Sequence, residues 1–172
     1  MIESKFQEAA EFTFGNYRYY EKQSKGIIYS TFSIIFHTLE FNYKGNLIKV
    51  EYEFGNHNMA SISTSVKSVN YNYDFKIKKR GHLMRLFNKT LKSLRVLTPK
   101  HFEKTKIESL LLNSGLEEIA NDTTFKPTIL FKRVDNNNIE ITTQFYLGFE
   151  NKEEAILPIA RFYKGLIDLI KD

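Results

Sequence analysis

The sequence predicts an α+β fold: a single domain over residues 1–172, with a curved antiparallel sheet, helices packed mainly on one face and a long C-terminal helix. Three observations support this prediction. Segments that alternate apolar and polar residues succeed one another between residues 32 and 77. Segments of helical period lie at both termini and after residue 81. A regular strand–helix–strand alternation is missing, which argues against a parallel sheet.

The N-terminal quarter predicts a helix followed by a long strand. Apolar residues recur at helical spacing from Ile2 onwards, and Gly15 is a typical helix terminator. A tyrosine-rich piece over residues 17–20 follows. Residues 32–43 then read as a strand whose apolar parity shifts midway. We therefore expect a β-bulge near His37, where an extra residue would restore the register.

Three more strands are predicted before residue 81. Lys44, Gly45 and Asn46 form a turn signal. Residues 48–54 alternate cleanly, as a strand with one buried face does. Residues 60–66 and 69–77 alternate in the same way and continue the antiparallel sheet.

After Gly81 the period becomes helical. The apolar stripe consists of Leu83, Phe87, Leu91 and Leu94. Basic residues fall on the other side of this helix, which is predicted to end before Pro99. Residues 102–109 fit either a short strand or the start of the next helix, which covers residues 110–120.

The last third predicts a hairpin and the C-terminal helix. Residues 127–134 and 139–149 are strands joined by a polar loop at 135–138. Asn151 is expected to cap the final helix, with acidic residues in its first turn. Pro158 either kinks that helix or marks its true start.

Composition restricts the functional class. The chain has no cysteine, so disulfides, cysteine-bound metals and thiol catalysis are excluded. The N-terminal residues lack the apolar core of a signal peptide, and no window has the ~18 apolar residues of a membrane span. We expect a cytoplasmic protein without a transmembrane segment.

No catalytic or cofactor motif is visible. The four histidines are scattered, and glycine-rich phosphate loops and serine-hydrolase elbows are absent. We therefore predict no enzyme activity, no metal and no cofactor. Glu117 and Glu118 read as a solvated pair on a helix. Tyr17, Tyr19 and Tyr20, together with Arg18, form either a stacking surface or a cap on the core.

Basic residues are concentrated between Lys76 and Lys106. This segment holds eleven of the 25 Lys and Arg residues and one of the 20 acids, a net charge of +10. Such a pole attracts phosphate, anionic lipid or an acidic protein, and it also fits a solvated helix face. The candidate binding residues for an anionic partner are Lys78, Lys79, Arg80, Arg85, Lys89, Lys92 and Arg95.

The chain resembles a family of uncharacterised bacterial domains. The resemblance rests on the pattern Tyr-x-Gly-x-x-hydrophobic-x-Val at residues 43–50 and on the hydrophobic-to-basic run that ends at Gly81, with a later Phe at Phe102. It implies a short helix and strands, a leucine-rich helix, a hairpin and a C-terminal helix. Some members are attached to membrane spans, and no activity, ligand or site residue comes with the resemblance.

These observations predict a non-enzymatic binding or scaffold protein that contacts another macromolecule, either a protein partner or a second copy of itself. Two alternatives stay open. One is a nucleic-acid-associated protein that uses the segment from Lys76 to Lys106, for which binding would weaken steeply with salt. The other is a carrier for a small apolar ligand held between the sheet and the C-terminal helix.

Overall fold

The computed structural model describes residues 2–25, 31–67, 74–81, 91–99, 101–122 and 124–171; side chains are described for these residues except 101 and 102. In chain order the elements are α1 (Ile2–Thr13), β1 (Asn16–Lys25), β2 (Thr31–Tyr43), β3 (Asn46–Phe54), β4 (Met59–Lys67), β5 (Phe75–Lys79), β6 (Leu94–Leu97), α2 (His101–Asn113), α3 (Leu116–Ile119), β7 (Thr128–Arg133), β8 (Asn138–Tyr146), a 3₁₀ turn (Lys152–Ala155) and α4 (Ile156–Lys171).

The described strands form one open, curved antiparallel sheet in the order β1-β2-β3-β4-β8-β7-β5-β6. The α+β class, the antiparallel sheet and the long C-terminal helix predicted from the sequence are confirmed. The hairpin β7–β8 is inserted between β4 and β5, so the strands of the basic segment lie at the far end of the sheet from β1. This order creates two very different sheet edges.

The predicted turn at residues 44–46 joins β2 to β3. Tyr43 pairs with Asn46, and the two residues between them, Lys44 and Gly45, have φ angles of 47° and 78°. Two successive positive φ values are the type I′ geometry, whose twist matches that of the flanking strands. The turn fixes the register that continues through β3 and β4.

One face of the sheet packs against the described helices and forms the core with them. We call it the inner face. Tyr163 of α4 is fully buried, and its hydroxyl bonds to Thr143 of β8 at 2.8 Å and donates to the carbonyl of Ile62 at 3.2 Å. From the 3₁₀ turn, the carbonyl of Lys152 accepts from the hydroxyl of buried Tyr52 at 3.2 Å. The opposite, outer face has serines, threonines and charged residues and lacks a helix layer among the described residues.

The β-bulge expected near His37 is wrong. Every residue of β2 from Ile35 to Tyr43 pairs with β3 in one continuous register. The parity shift arises because β2 is apolar on opposite faces at its two ends. Phe36 stacks on Tyr20 on the outer face, with ring centroids 4.7 Å apart, while Leu39 is buried on the inner face. Both groups are accommodated without an extra residue.

The helix predicted after Gly81 is wrong over its C-terminal part, while residues 82–90 lie outside the described residues. The segment Leu94–Leu97 is strand β6 and pairs with β5. Leu94 and Val96 are buried on the inner face, whereas Arg95 and Leu97 point outward. An alternation of four residues is a weak signal in the sequence, and it is the pairing with β5 that makes this segment a strand.

The remaining elements resolve the open choices. Residues 102–109 belong to α2, which ends at Asn113 and is separated from α3 by Gly115 with a φ angle of 84°. The predicted hairpin is confirmed. Asn151 has a φ angle of 53° and makes no side-chain cap, so the expected capping role is wrong. Pro158 lies in the first turn of α4, where its missing N–H costs no helical hydrogen bond.

Candidate docking surface

Of the seven cations proposed as an anionic-partner site, the five that the structure describes do not form one surface. Arg85 and Lys89 lie outside the described residues. Strand alternation sends Lys78 and Lys79 of β5 to opposite faces of the sheet. The five described residues therefore fall into two groups. Some hydrogen-bond to other parts of this chain, which we call internal ties, and the others point away from the core, which we call outward charges.

Lys79 and Arg80 are tied to backbone carbonyls. The ammonium of Lys79 donates to the carbonyls of Ala120 and Asp122, which follow the short helix α3. The guanidinium of Arg80 donates from Nε and Nη2 to the carbonyl of Leu94 at 3.3 and 3.2 Å. A cation placed on unpaired carbonyls at a helix end satisfies buried acceptors. Both residues hold this end of the fold together.

Lys92 takes part in a second internal tie through its backbone, while its side chain is exposed. Its backbone N–H donates to Oε1 of Glu117 at 2.7 Å, and the N–H of Ser93 donates to the same oxygen at 2.6 Å. The N–H of Leu94 donates to Oε2 at 3.0 Å. We call this arrangement the Glu117 clamp. Glu117 is 7% exposed, so its assignment to a solvated pair is wrong.

The outward cations of this end form what we call the basic patch. It comprises Lys76 and Lys78 of β5, Arg95 of β6 and Lys132 of β7, with Leu97 and Leu130 as its apolar members. The register places five of them, together with Thr128, in two rows across three strands: Leu97–Lys76–Leu130 and Arg95–Lys78–Thr128. Lys132 lies two positions after Leu130 on β7, on the same face. The two leucines are 38% and 41% exposed, and they flank a shallow groove of about 270 Å³.

The cations of the basic patch form no ion pair with another described residue, although Asp74 lines the groove together with Lys76 and Lys132. Lys78 lies directly opposite Arg95 on the same face, a like-charge pair that destabilises a sheet. Arg95 Nε is buried and has no described acceptor. The nearest acid on β8, Glu140, pairs in register with Lys132 without forming an ion pair.

Sequence reasoning missed Lys132 because it lies outside the basic run. The signal was present in the alternation of β7, where Ile129 and Phe131 point inward, so Leu130 and Lys132 must point outward. It could be used only once β7 was known to lie beside β5. Strand order, which the sequence did not specify, brings the fourth cation to the patch.

A tyrosine–histidine pair lies at the β1 end of the sheet. Tyr17 Oη and His37 Nδ1 are 2.8 Å apart, and Phe6 of α1 lies over both rings at centroid distances of 5.5 Å. Burial lowers the pKa of His37 and raises the pKa of Tyr17. Both groups are thereby held neutral, and the pair serves as a packing contact beneath α1.

The tyrosine cluster of residues 17–20 occupies strand β1, and only Tyr17 has the predicted place at the core. Tyr17 contacts Phe6 and belongs to the core boundary, whereas Tyr19 and Tyr20 are 52% and 45% exposed. In the described ranges, no group of three metal-binding side chains occurs. None of the helices described there is long and apolar enough to cross a bilayer.

The chain matches no protein-family model, no curated protein and no solved structure.

Proposed function

We propose that this protein is a non-enzymatic binding domain that docks an acidic segment of a partner protein on the basic patch. The observation that carries the proposal is the placement of Lys78 directly opposite Arg95 on the sheet face that no described helix covers. Such a pair weakens the sheet unless an anion lies between the two charges. Lys79 and Arg80, by contrast, have internal partners.

The apolar members of the patch support a protein segment rather than a nucleic acid. Leu97 and Leu130 lie on either side of Lys76 in the same row, so this row alternates apolar and cationic groups. Lys132 and one acid, Asp74, also line the groove. An extended peptide with alternating acidic and apolar side chains matches the pattern of the row. Single-stranded nucleic acid is typically held by exposed aromatic rings, and the members of the patch include none.

The test uses a synthetic peptide of alternating glutamate and leucine, labelled with a fluorophore, and measures anisotropy. The triple variant Lys76→Glu, Lys78→Glu, Lys132→Glu should weaken binding by at least about tenfold. A control with the same change in net charge is Lys25→Glu, Lys67→Glu, Lys126→Glu, built from exposed lysines elsewhere. It should bind like the wild type.

Two outcomes would contradict the proposal: no binding of the peptide by the wild type at low salt, or equal weakening in both triple variants. A labelled single-stranded oligonucleotide is titrated in parallel. Tight oligonucleotide binding with a steep salt dependence, in the absence of peptide binding, would favour the nucleic-acid alternative instead.

The alternative of an apolar-ligand carrier has less support from the described residues. Phe162, Tyr163 and Leu166 of α4 are fully buried against the sheet. A groove of about 720 Å³ opens on the outer face, and most of the side chains that line it are polar. Native mass spectrometry of the purified protein tests for a retained ligand. The cytoplasmic location stays a prediction.

A further inference from the structure

The second unusual surface is the edge of the sheet formed by β1. All ten residues of Asn16–Lys25 pair with β2, and no described strand lies on the other side. The pairing is continuous, without a bulge or a proline, so the outer edge of β1 is regular. A long regular edge can accept another strand.

The distal half of β1 also projects beyond the main sheet. Pairing of β2 with β3 begins at Ile35, whereas β1 continues to pair with β2 as far as Thr31. This part of the hairpin is therefore a two-stranded ribbon in the described chain. Most of β1 is exposed on both faces, Tyr19 on the inner one and Tyr20 on the outer one.

An independent feature lies at the start of the same edge. Phe14 is 98% exposed and has a φ angle of 54°, at the helix C-terminal position that favours glycine. The N–H of Gly15 donates to the carbonyl of Ala10 at 2.8 Å, which closes the helix end around Phe14. A strained aromatic residue without intramolecular packing indicates a contact made outside the chain.

We propose that β1 pairs antiparallel with β1 of a second copy of this chain, centred on Tyr19, to form a two-fold symmetric dimer with one continuous sheet. The two-fold axis stands perpendicular to the sheet, so the outer faces of both copies lie on the same side. Directly opposite residues must therefore both be odd-numbered or both be even-numbered, so that their side chains lie on the same face. This holds only when one residue of β1 lies opposite the same residue of the second copy, and we call that residue the centre of the register.

Charge selects among these registers. A centre at Arg18, Glu21 or Lys22 places two identical charges opposite each other. A centre at Tyr20 places Arg18 opposite Lys22. A centre at Gln23 pairs only the last five residues of β1, and centres nearer either end of the strand pair three or fewer.

The register centred on Tyr19 avoids these clashes and pairs residues 16–22. Tyr19 faces Tyr19 of the second copy on the inner face, and Arg18 faces Tyr20 of the second copy twice on the outer face. Aromatic and cation–aromatic pairs at these positions are favourable. In continuation of this register, Phe14 comes opposite Ser24 of the second copy, so its exposed ring is brought to the interface.

The absence of cysteine allows a direct test by single-cysteine crosslinking. Directly opposite residues in an antiparallel pair have Cα atoms about 4.5–5.5 Å apart, within the range that a disulfide spans. Tyr19→Cys should therefore form a disulfide-linked dimer on mild oxidation. Arg18→Cys and Tyr20→Cys should crosslink with each other in a mixture, faster than either does alone. The matched control is Tyr146→Cys: this tyrosine is 55% exposed but lies on β8, which has a strand on each side.

Sedimentation of the unmodified chain supplies the second readout. A concentration-dependent dimer is expected, and Tyr19→Lys should raise its dissociation constant by at least about tenfold because two ammonium groups would face each other. Tyr146→Lys should have no effect. A monomer at every concentration, or crosslinking of Tyr19→Cys no faster than that of Tyr146→Cys, would overturn the proposal. A dimer that crosslinks through Tyr20→Cys alone would overturn the register.

Discussion

The two ends of the sheet are held in place by different interactions. At the β1 end the strands are 10 and 13 residues long, and aromatic rings fasten helix α1 to them. Phe6 lies at 5.5 Å from the rings of Tyr17 and His37 and meets Tyr52 edge-on at 5.1 Å. At the β6 end the strands are 5 and 4 residues long, and charged side chains bind backbone groups.

This difference shows why a run of basic residues is an ambiguous sign of function. Strands as short as β5 and β6 contribute few ladder hydrogen bonds, so polar contacts add to the burial of Phe75, Ile77, Leu94 and Val96 in holding the edge. Lys79, Arg80 and Glu117 supply those contacts. Part of the basic pole is therefore structural, and only the outward part is available to a partner.

The largest loss of stability is expected when the Glu117 clamp at the β6 end of the sheet is removed. Glu117→Ala leaves three buried or partly buried backbone N–H groups without their acceptor and should lower the free energy of unfolding by about 3 kcal/mol. Urea denaturation measures the change. Glu118→Ala, at the exposed neighbouring position, should stay within about 0.5 kcal/mol of the wild type. Equal effects at the two positions would show that the clamp does not stabilise the fold.

A smaller difference in stability is expected between two neighbouring lysines of β5, one bonded to other parts of the chain and one pointing outward. Lys79→Met removes the donor to the carbonyls of Ala120 and Asp122 and should cost about 1–2 kcal/mol in urea denaturation. Lys78→Met removes one member of the like-charge pair with Arg95 and should be neutral or slightly stabilising. The reverse order would mean that the division into internal ties and outward charges is wrong.

The sequence was sufficient to predict the fold class because its strands and terminal helix carry clean periodicities. β3, β4 and β8 alternate with one buried face, and α4 has a continuous apolar stripe, so local pattern and tertiary burial agree. At Leu94 the local pattern and the tertiary structure disagree: the pattern predicts a helix, and the residue lies in strand β6. A four-residue strand is too short to outweigh a helical stripe in the sequence, and its identity depends on pairing with β5.

The candidate site was predicted only in part for a related reason. Whether a lysine on a strand serves the core or the surface depends on parity, and Lys78 and Lys79 differ by one residue. The partners of Glu117 lie 23 to 25 positions away in the sequence, where no local pattern connects them. Arg85 and Lys89 stay predictions, since they lie outside the described residues.

A pH-dependent measurement sharpens the comparison at the β1 end. Burial lowers the pKa of His37, opposed by the negative charge of Glu3, so the folded state favours the neutral imidazole between Phe6 and Tyr17. The unfolded chain then binds the proton more readily. This contribution to stability is present above the unfolded histidine pKa of about 6.5 and is lost as the pH falls below it.

The free energy of unfolding should therefore decline between pH 7 and pH 5, and His37→Gln should flatten that decline. His57→Gln, at an exposed histidine that contacts Glu53, should retain it. Amide hydrogen exchange locates the effect: protection in α1 and β1 should fall on acidification before protection in β5 and β6, because the Glu117 clamp involves no histidine. Simultaneous loss at both ends would mean that the two edges unfold as one unit, and the contrast between aromatic and charged fastening would then have no dynamic consequence.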